Sequence, residues 1–162
     1  MHSDPPGRAG TSSPVSAAGV AALLRTLPGS PMAGVTAHGS TVLEIVAATT
    51  HRARMVEEAQ LLHPDSPARE AAATGVPIVI TDLAGSSRWP GCGAELRLWG
   101  VQAVRCQPLS DDDGAVVGVL SVYTPAANVL SEELADALHP VCRCATDLLQ
   151  IRRRNPPRLR RE

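Results

Sequence analysis

Apolar side chains recur along this chain with two alternating periods. Val20, Leu23, Leu24 and Leu27 fall on one helical face and predict a helix over residues 15–27. Pro28-Gly29-Ser30-Pro31 stops it. The period then shortens to two, predicting strands over 33–37 and 41–48 with His38-Gly39-Ser40 as a tight connection. In the second strand Leu43, Ile45 and Ala47 alternate with Val42, Glu44 and Val46. Residues 51–62 have the composition of a helix. A short helix follows, with Ser66 as N-cap, Pro67 at the first helical position and Gly75 past its end. Residues 76–81 read as a strand, 82–91 as a loop and 94–99 as a short helix. Strands over 101–109 and 115–124 flank Ser110-Asp111-Asp112-Asp113-Gly114, a hairpin turn in which Gly114 can take a positive φ. Ser131 caps a final helix with Glu132 and Glu133 at the positive end of its dipole. Leu130, Leu134, Leu138, Val141, Ala145 and Leu148 give that helix an apolar stripe. Pro140 lies inside it, cannot bond the Asp136 carbonyl, and is expected to kink or split the helix.

The order α-β-β-α-α-β-α-β-β-α, with hairpin-linked strands and a helix at each end, is α+β. Composition refines this. Lys and Phe are absent, and the aromatics are Trp89, Trp99 and Tyr123, so the core must be built of Ala, Val and Leu. Residues 1–14 are rich in Pro, Gly and Ser and are expected to be a disordered tail. Residues 15–151 form one domain, and 152–162 an Arg-rich tail. The tail carries +5 and the rest of the chain −6, for a net charge of −1, which argues against a dedicated nucleic-acid binder. No apolar run approaches the ~18 residues of a membrane span. The N-terminal residues lack the basic and apolar regions of a secretory signal. Four Cys are too sparse for a disulfide scaffold. A soluble, cytoplasmic protein is the expectation.

Three passages are similar to those of one known domain family. The first is Thr74-Gly75-Val76-Pro77-Ile78-Val79-Ile80-Thr81-Asp82-Leu83 with Arg88-Trp89-Pro90, which resembles the family's short helix, edge strand and following loop. The second is Gly100-Val101-Gln102-Ala103-Val104 through Pro108-Leu109, then Gly118-Val119-Leu120-Ser121-Val122-Tyr123, similar to its central hairpin. The third is Leu130-Ser131-Glu132-Glu133-Leu134, similar to the opening of its last helix. The family so resembled is the GAF domain, a small-molecule sensor module. The wording is nearest to actinobacterial GAF domains that precede an ANTAR domain, an RNA-binding antiterminator module. Leu62-His63-Pro64-Asp65-Ser66-Pro67 departs from those relatives in lacking both glycines of their turn. Only twelve residues follow Gln150, so the expectation is a stand-alone GAF protein or a fragment of such a regulator. The resemblance implies a PAS-like antiparallel sheet of about five to six strands. Terminal helices would cover one face, often as a dimer, and short helices and loops would enclose a pocket on the other. That pocket would be lined from residues 51–77, 83–99 and one face of the 101–123 hairpin.

The candidate chemistry is limited. The Asn-Lys-X-Phe-Asp-Glu signature of cyclic-nucleotide GAF domains cannot exist without Lys and Phe. Among the five His, His63 near the pocket helices is the one worth testing as a haem ligand, although a surface or capping His is the commoner reading. Cys92, Cys106, Cys142 and Cys144 make no zinc pattern. Cys142 and Cys144 point about 200° apart on a helix and cannot bridge. Free methionine sulfoxide reductase shares the GAF fold and works through pocket thiols; its first Cys falls near Ser66 here, leaving Cys92 and Cys106 as alternatives to small buried hydrophobes. Trp89 and Trp99 are either lids over a ligand or loop anchors. Asp111-Asp112-Asp113 lacks the spacing of a calcium loop. The Arg tail has no aromatic residue to stack bases, so weak phosphate contact is the most it suggests.

The expected function is a non-enzymatic regulatory sensor acting in signalling, with transcription regulation one setting. It would bind an unidentified small molecule or register redox state through His63, Ser66, Asp82, Trp89, Cys92, Trp99, Cys106 and Tyr123. Its output would pass through the terminal helices, as a homodimer. No metal and no particular cofactor is implied. A Cys-dependent sulfoxide reductase and the GAF part of an RNA-binding antiterminator are the alternatives.

Overall fold

A computed structural model describes residues 15–38, 43–127 and 129–155. The elements are α1 (Ala17–Leu24), β1 (Met32–Ala37), β2 (Glu44–Ala48), α2 (His51–Leu62), α3 (Pro67–Thr74), β3 (Ile78–Ile80), α4 (Pro90–Leu98), β4 (Ala103–Ser110), β5 (Val116–Thr124) and α5 (Glu132–Arg154). The five strands form one antiparallel sheet in the order β2-β1-β5-β4-β3. The fold is α+β, as the element order predicts, and its five-stranded antiparallel sheet agrees with the one the GAF resemblance implies.

The sheet separates two apolar layers. On one face α1 and α5 cover Val35, Leu109, Leu120 and Val122, through Val20, Leu24, Leu138, Val141 and Ala145. On the other, α2, α3 and α4 cover Val104, Cys106, Val119 and Tyr123. The alternation of β5 assigns its residues: Leu120 and Val122 face the terminal helices, Val119 and Tyr123 the middle ones. The α5 stripe is therefore spent on the sheet within one chain.

Several boundaries differ from the sequence-based expectation. Helix α1 stops at Leu24, because Thr26 and Leu27 donate to the carbonyls three residues back and tighten the last turn. Strand β3 is three residues long, since Pro77 has no N–H to pair and precedes it. Helix α4 begins at Pro90, not at residue 94; proline pre-sets the backbone for a first helical turn. Helix α5 is one continuous element through Pro140. The proline is on the exposed side, and buried residues before and after it bind both halves to the sheet. The 41–48 strand is seen from Glu44, and its first residues lie outside the described ones, as do Gly39 and Ser40. Arg152–Arg154 form the last turn of α5 rather than a free tail, and Arg152 pairs with Glu44 (2.5 Å). Asn155 caps that helix, and residues 156–162 and 1–14 lie outside the described residues. The hairpin turn matches its reading: Asp111 Oδ1 accepts from the Asp113 and Ala115 amides (both 2.9 Å), and Gly114 has φ +83°.

Candidate functional site

Helix α2 has little apolar character, yet four of its inward residues are Ala53, Val56, Glu57 and Gln60. Their spacing puts two polar side chains on the arc that meets the sheet. Glu57 is 2% exposed and Gln60 1%. Burial without partners would be costly for both, and both are partnered. Tyr123 Oη donates to Glu57 Oε1 (2.5 Å), and Thr36 Oγ1 donates to Glu57 Oε2 (2.6 Å). Gln60 Nε2 donates to Tyr123 Oη (2.6 Å) and Ser121 Oγ (3.3 Å). Gln60 Oε1 accepts from the Ala68 amide (2.9 Å), and Ser121 Oγ donates to Cys106 Sγ (3.4 Å). One network thus ties α2 to α3, β1, β4 and β5.

Gly34 makes room for it. A side-chain carbon there would lie 2.4 Å from Glu57 Cγ. Burial pushes the Glu57 carboxyl up to about 7, against the hydrogen bonds from Thr36 and Tyr123, which favour the charged form. Burial first, and Glu57 next, push the Tyr123 phenol well above its ordinary value. Burial pushes the Cys106 thiol up to about 12, and the Cys92 thiol likewise with a smaller contribution from Glu95. Both thiols are protonated at neutral pH and weak as nucleophiles.

Of the residues singled out from sequence, Tyr123, Cys106, Cys92 and Trp89 come together in the layer beneath α2–α4. Ser66 is buried beside them and caps α3, accepting from the Arg69 amide (3.2 Å). Trp89 is 8% exposed, packed inward, with a φ of +47° at the start of α4 and the Arg88 guanidinium 4.0 Å above its ring. His63 ends α2 at the rim, its Nε2 2.5 Å from Glu95 Oε2. Asp82 is exposed and accepts from the Ala84 amide (3.2 Å) in its own loop. Trp99 follows α4, half-buried, and packs against the edge of the same layer without joining the hydrogen-bond network. Glu57 and Gln60 escaped the sequence reading. The one signal for them was two polar residues on the arc that Ala53 and Val56 define.

The side chains fill this interior themselves: Tyr123 and Cys106 have no exposed surface. The larger grooves are lined by other residues. One of them, about 720 Å³, lies where the α1–β1 loop, the β5–α5 loop and the end of α4 meet, with Met32, Trp99, Val129 and Leu134 in its wall. Among the described residues all four thiols are free, no group of three His, Cys, Asp or Glu is placed to hold a metal ion, and no helix is long and apolar enough to cross a membrane.

The family model of the GAF domain matches residues 15–143. Against curated protein sequences the chain finds no match. Solved structures share its fold. A domain assigned to a two-component sensor histidine kinase of Sinorhizobium meliloti superposes with a TM-score of 0.66 at 12% identity, over 93% of this chain and 94% of that one. The type II free methionine-R-sulfoxide reductase of Thermoplasma acidophilum gives 0.62 at 14%, over 83% and 89%. A protein described as a GAF sensor from Burkholderia vietnamiensis gives 0.60 at 19%, over 86% and 83%. At such identities the likeness is one of fold.

Proposed function

The chain belongs to the GAF domain family, and from that premise we propose that it is a non-enzymatic signalling sensor in which the state of the Glu57 interior sets how α1 and α5 sit on the sheet. The observation that carries this is a pair of close contacts on opposite faces of the two central strands. Glu57 presses on Gly34 of β1 from the middle-helix side. Leu149 of α5 presses on Gly118 of β5 from the other, where a side-chain carbon would lie 2.4 Å from Leu149 Cδ1 and 2.6 Å from the Thr36 carbonyl oxygen. Thr36 belongs to both contacts, since its hydroxyl bonds Glu57. In the ladder Gly118 pairs with Ala37, next to Thr36. A ligand or redox change that rearranges the network moves β1, on which α1 packs, and β5, on which α5 packs. Signalling is then a population shift, driven by whatever binds one arrangement better than the other.

The high pKa values of Cys92 and Cys106 favour the sensor over a thiol enzyme, because burial, with the nearby carboxylates Glu95 and Glu57 adding, holds both thiols protonated. A cytoplasmic setting, a homodimer and a link to transcription through an antiterminator partner are parts of this proposal that rest on the sequence resemblance. Two assays test it. Native mass spectrometry of freshly purified protein beside a denatured control, with an absorbance scan, gives the ligand class if a reproducible non-covalent mass is lost on denaturation. Turnover of free methionine-R-sulfoxide with a dithiol reductant is expected at the no-protein rate. Turnover abolished by Cys92→Ser or Cys106→Ser would replace the sensor with the enzyme.

A further inference from the structure

The groove at the end of the sheet is distinct from the Glu57 interior, and its chemistry is one-sided. Its wall is apolar over Met32, Trp99, Val129 and Leu134, and Val129 is half exposed. Among the described residues the charged side chain in that wall is Arg52, and no carboxylate lines it. A smaller depression shares Ser30, Pro31, Met32 and Thr50 with it and adds a second cation, Arg25, again with no carboxylate.

Arg52 is held in place. Its Nη2 donates to the Trp99 carbonyl (2.8 Å). Gly100 allows this twice over: it takes φ +83°, and a side-chain carbon there would lie 3.1 Å from that same nitrogen. A guanidinium carries five N–H donors, so most of Arg52's remain for another acceptor. Arg25 is anchored in the same manner, its Nε donating to the Thr49 carbonyl (2.9 Å). Two fixed cations beside an apolar trough of about 720 Å³, within the range of small-molecule sites, define a complementary guest.

We propose that this groove binds a small amphipathic acid: a flat or branched apolar body against Met32, Trp99 and Val129, with one carboxylate or sulfonate on Arg52. The site touches both ends of the output. Pro28–Pro31 follow α1, and Ser131 and Leu134 begin α5, where Ser131 Oγ caps the Leu134 amide (3.2 Å). A guest wedged there bears on both terminal helices. Use of the groove as a sensor input rests on the function proposed above; binding itself does not.

The probe is 8-anilinonaphthalene-1-sulfonate, titrated into the full chain at neutral pH with its emission followed both directly and by energy transfer from Trp. One saturable site is expected, emptied by naphthalene-1-acetate at least tenfold more effectively than by its neutral amide. Arg52→Gln weakens the probe about tenfold. Val129→Asp, at an exposed position that leaves folding intact by circular dichroism, weakens it as much. Absence of saturable binding, or binding indifferent to both substitutions, overturns the site. So does a gain in probe affinity on deleting residues 2–14, which assigns the groove to the chain's own N-terminal segment. Loss of binding as protein concentration rises assigns it to a second copy and overturns it as well. Hydrogen exchange of α1 and α5 with and without naphthalene-1-acetate then separates the two claims: saturable binding with unchanged helices keeps the site and removes its role as an input.

Discussion

Glu57 sits where a carboxyl is least welcome, and its pH dependence should show it. The folded protein holds the Glu57 proton up to a pH of about 7, whereas the unfolded chain releases it near the ordinary 4.5. Stability from this group is complete below the unfolded value and is lost as pH rises through the folded one. The loss is on the order of 3 kcal/mol across that window. His38 acts oppositely. Burial, with Arg69 adding, lowers its imidazole from 6.5 to about 4, so stability is lost as pH falls through that range. The difference between wild type and Glu57→Gln cancels the His38 contribution. By urea unfolding, Glu57→Gln should gain on wild type by on the order of 3 kcal/mol between about pH 4.5 and pH 8; a difference that does not vary with pH contradicts the buried titration. Tyr123→Phe removes a donor from Glu57 and an acceptor from Gln60, and should cost about 1–3 kcal/mol by the same method. The His63–Glu95 pair is half exposed, and Glu95→Gln should change stability by less than about 1 kcal/mol.

The helices and strands were legible wherever one local signal sufficed. The Ser66–Pro67–Gly75 punctuation placed α3 within a residue, and alternation placed β4 and β5 as a hairpin. Errors arose where a signal was overruled. The proline rule forecast a break at Pro140, but Leu134 and Leu138 on one side and Val141, Ala145 and Leu148 on the other are all buried. Packing over those residues outweighs the ~3 kcal/mol that an interior proline costs. Pro140→Ala should therefore raise the melting temperature, by up to about that free energy at an exposed site; an unchanged or lower value would mean that the proline shapes a bend the sheet requires. At α4 the proline rule was applied too weakly, since Pro90 opened the helix that Gly91 and Gly93 had disguised. Gly34→Ala should destabilise by about 1–3 kcal/mol, because Glu57 must shift to admit a methyl group.

In the molecule as a whole, the sheet is a partition between two apolar layers, and the proposed function puts the sensing interior in one and the output helices in the other. The GAF resemblance grouped Tyr123, Cys106, Cys92, Trp89 and Ser66; the first four share the layer beneath α2–α4, and Ser66 is buried at the start of α3. The sequence reading missed Glu57 and Gln60, whose strand partners lie 21 to 66 residues away along the chain and leave no local trace. It also missed the groove at the sheet's end. That groove is assembled from three loops, and Trp99 alone among the predicted site residues lines it. The apolar stripe of α5 was readable either as core seam or as dimer surface, and it packs on the sheet of its own chain. A homodimer through the terminal helices, as proposed, would use their outer faces, where Leu23 of α1 is exposed.

Hydrogen–deuterium exchange of wild type beside Glu57→Gln, at one pH near 8, follows the path from interior to output directly. If the network sets how the terminal helices sit, protection must change in α1 and α5 as well as in α2, although Glu57 touches neither terminal helix. Changes confined to α2 and its strands would mean that the two sides of the sheet are uncoupled, and would contradict a sensor that signals through its terminal helices.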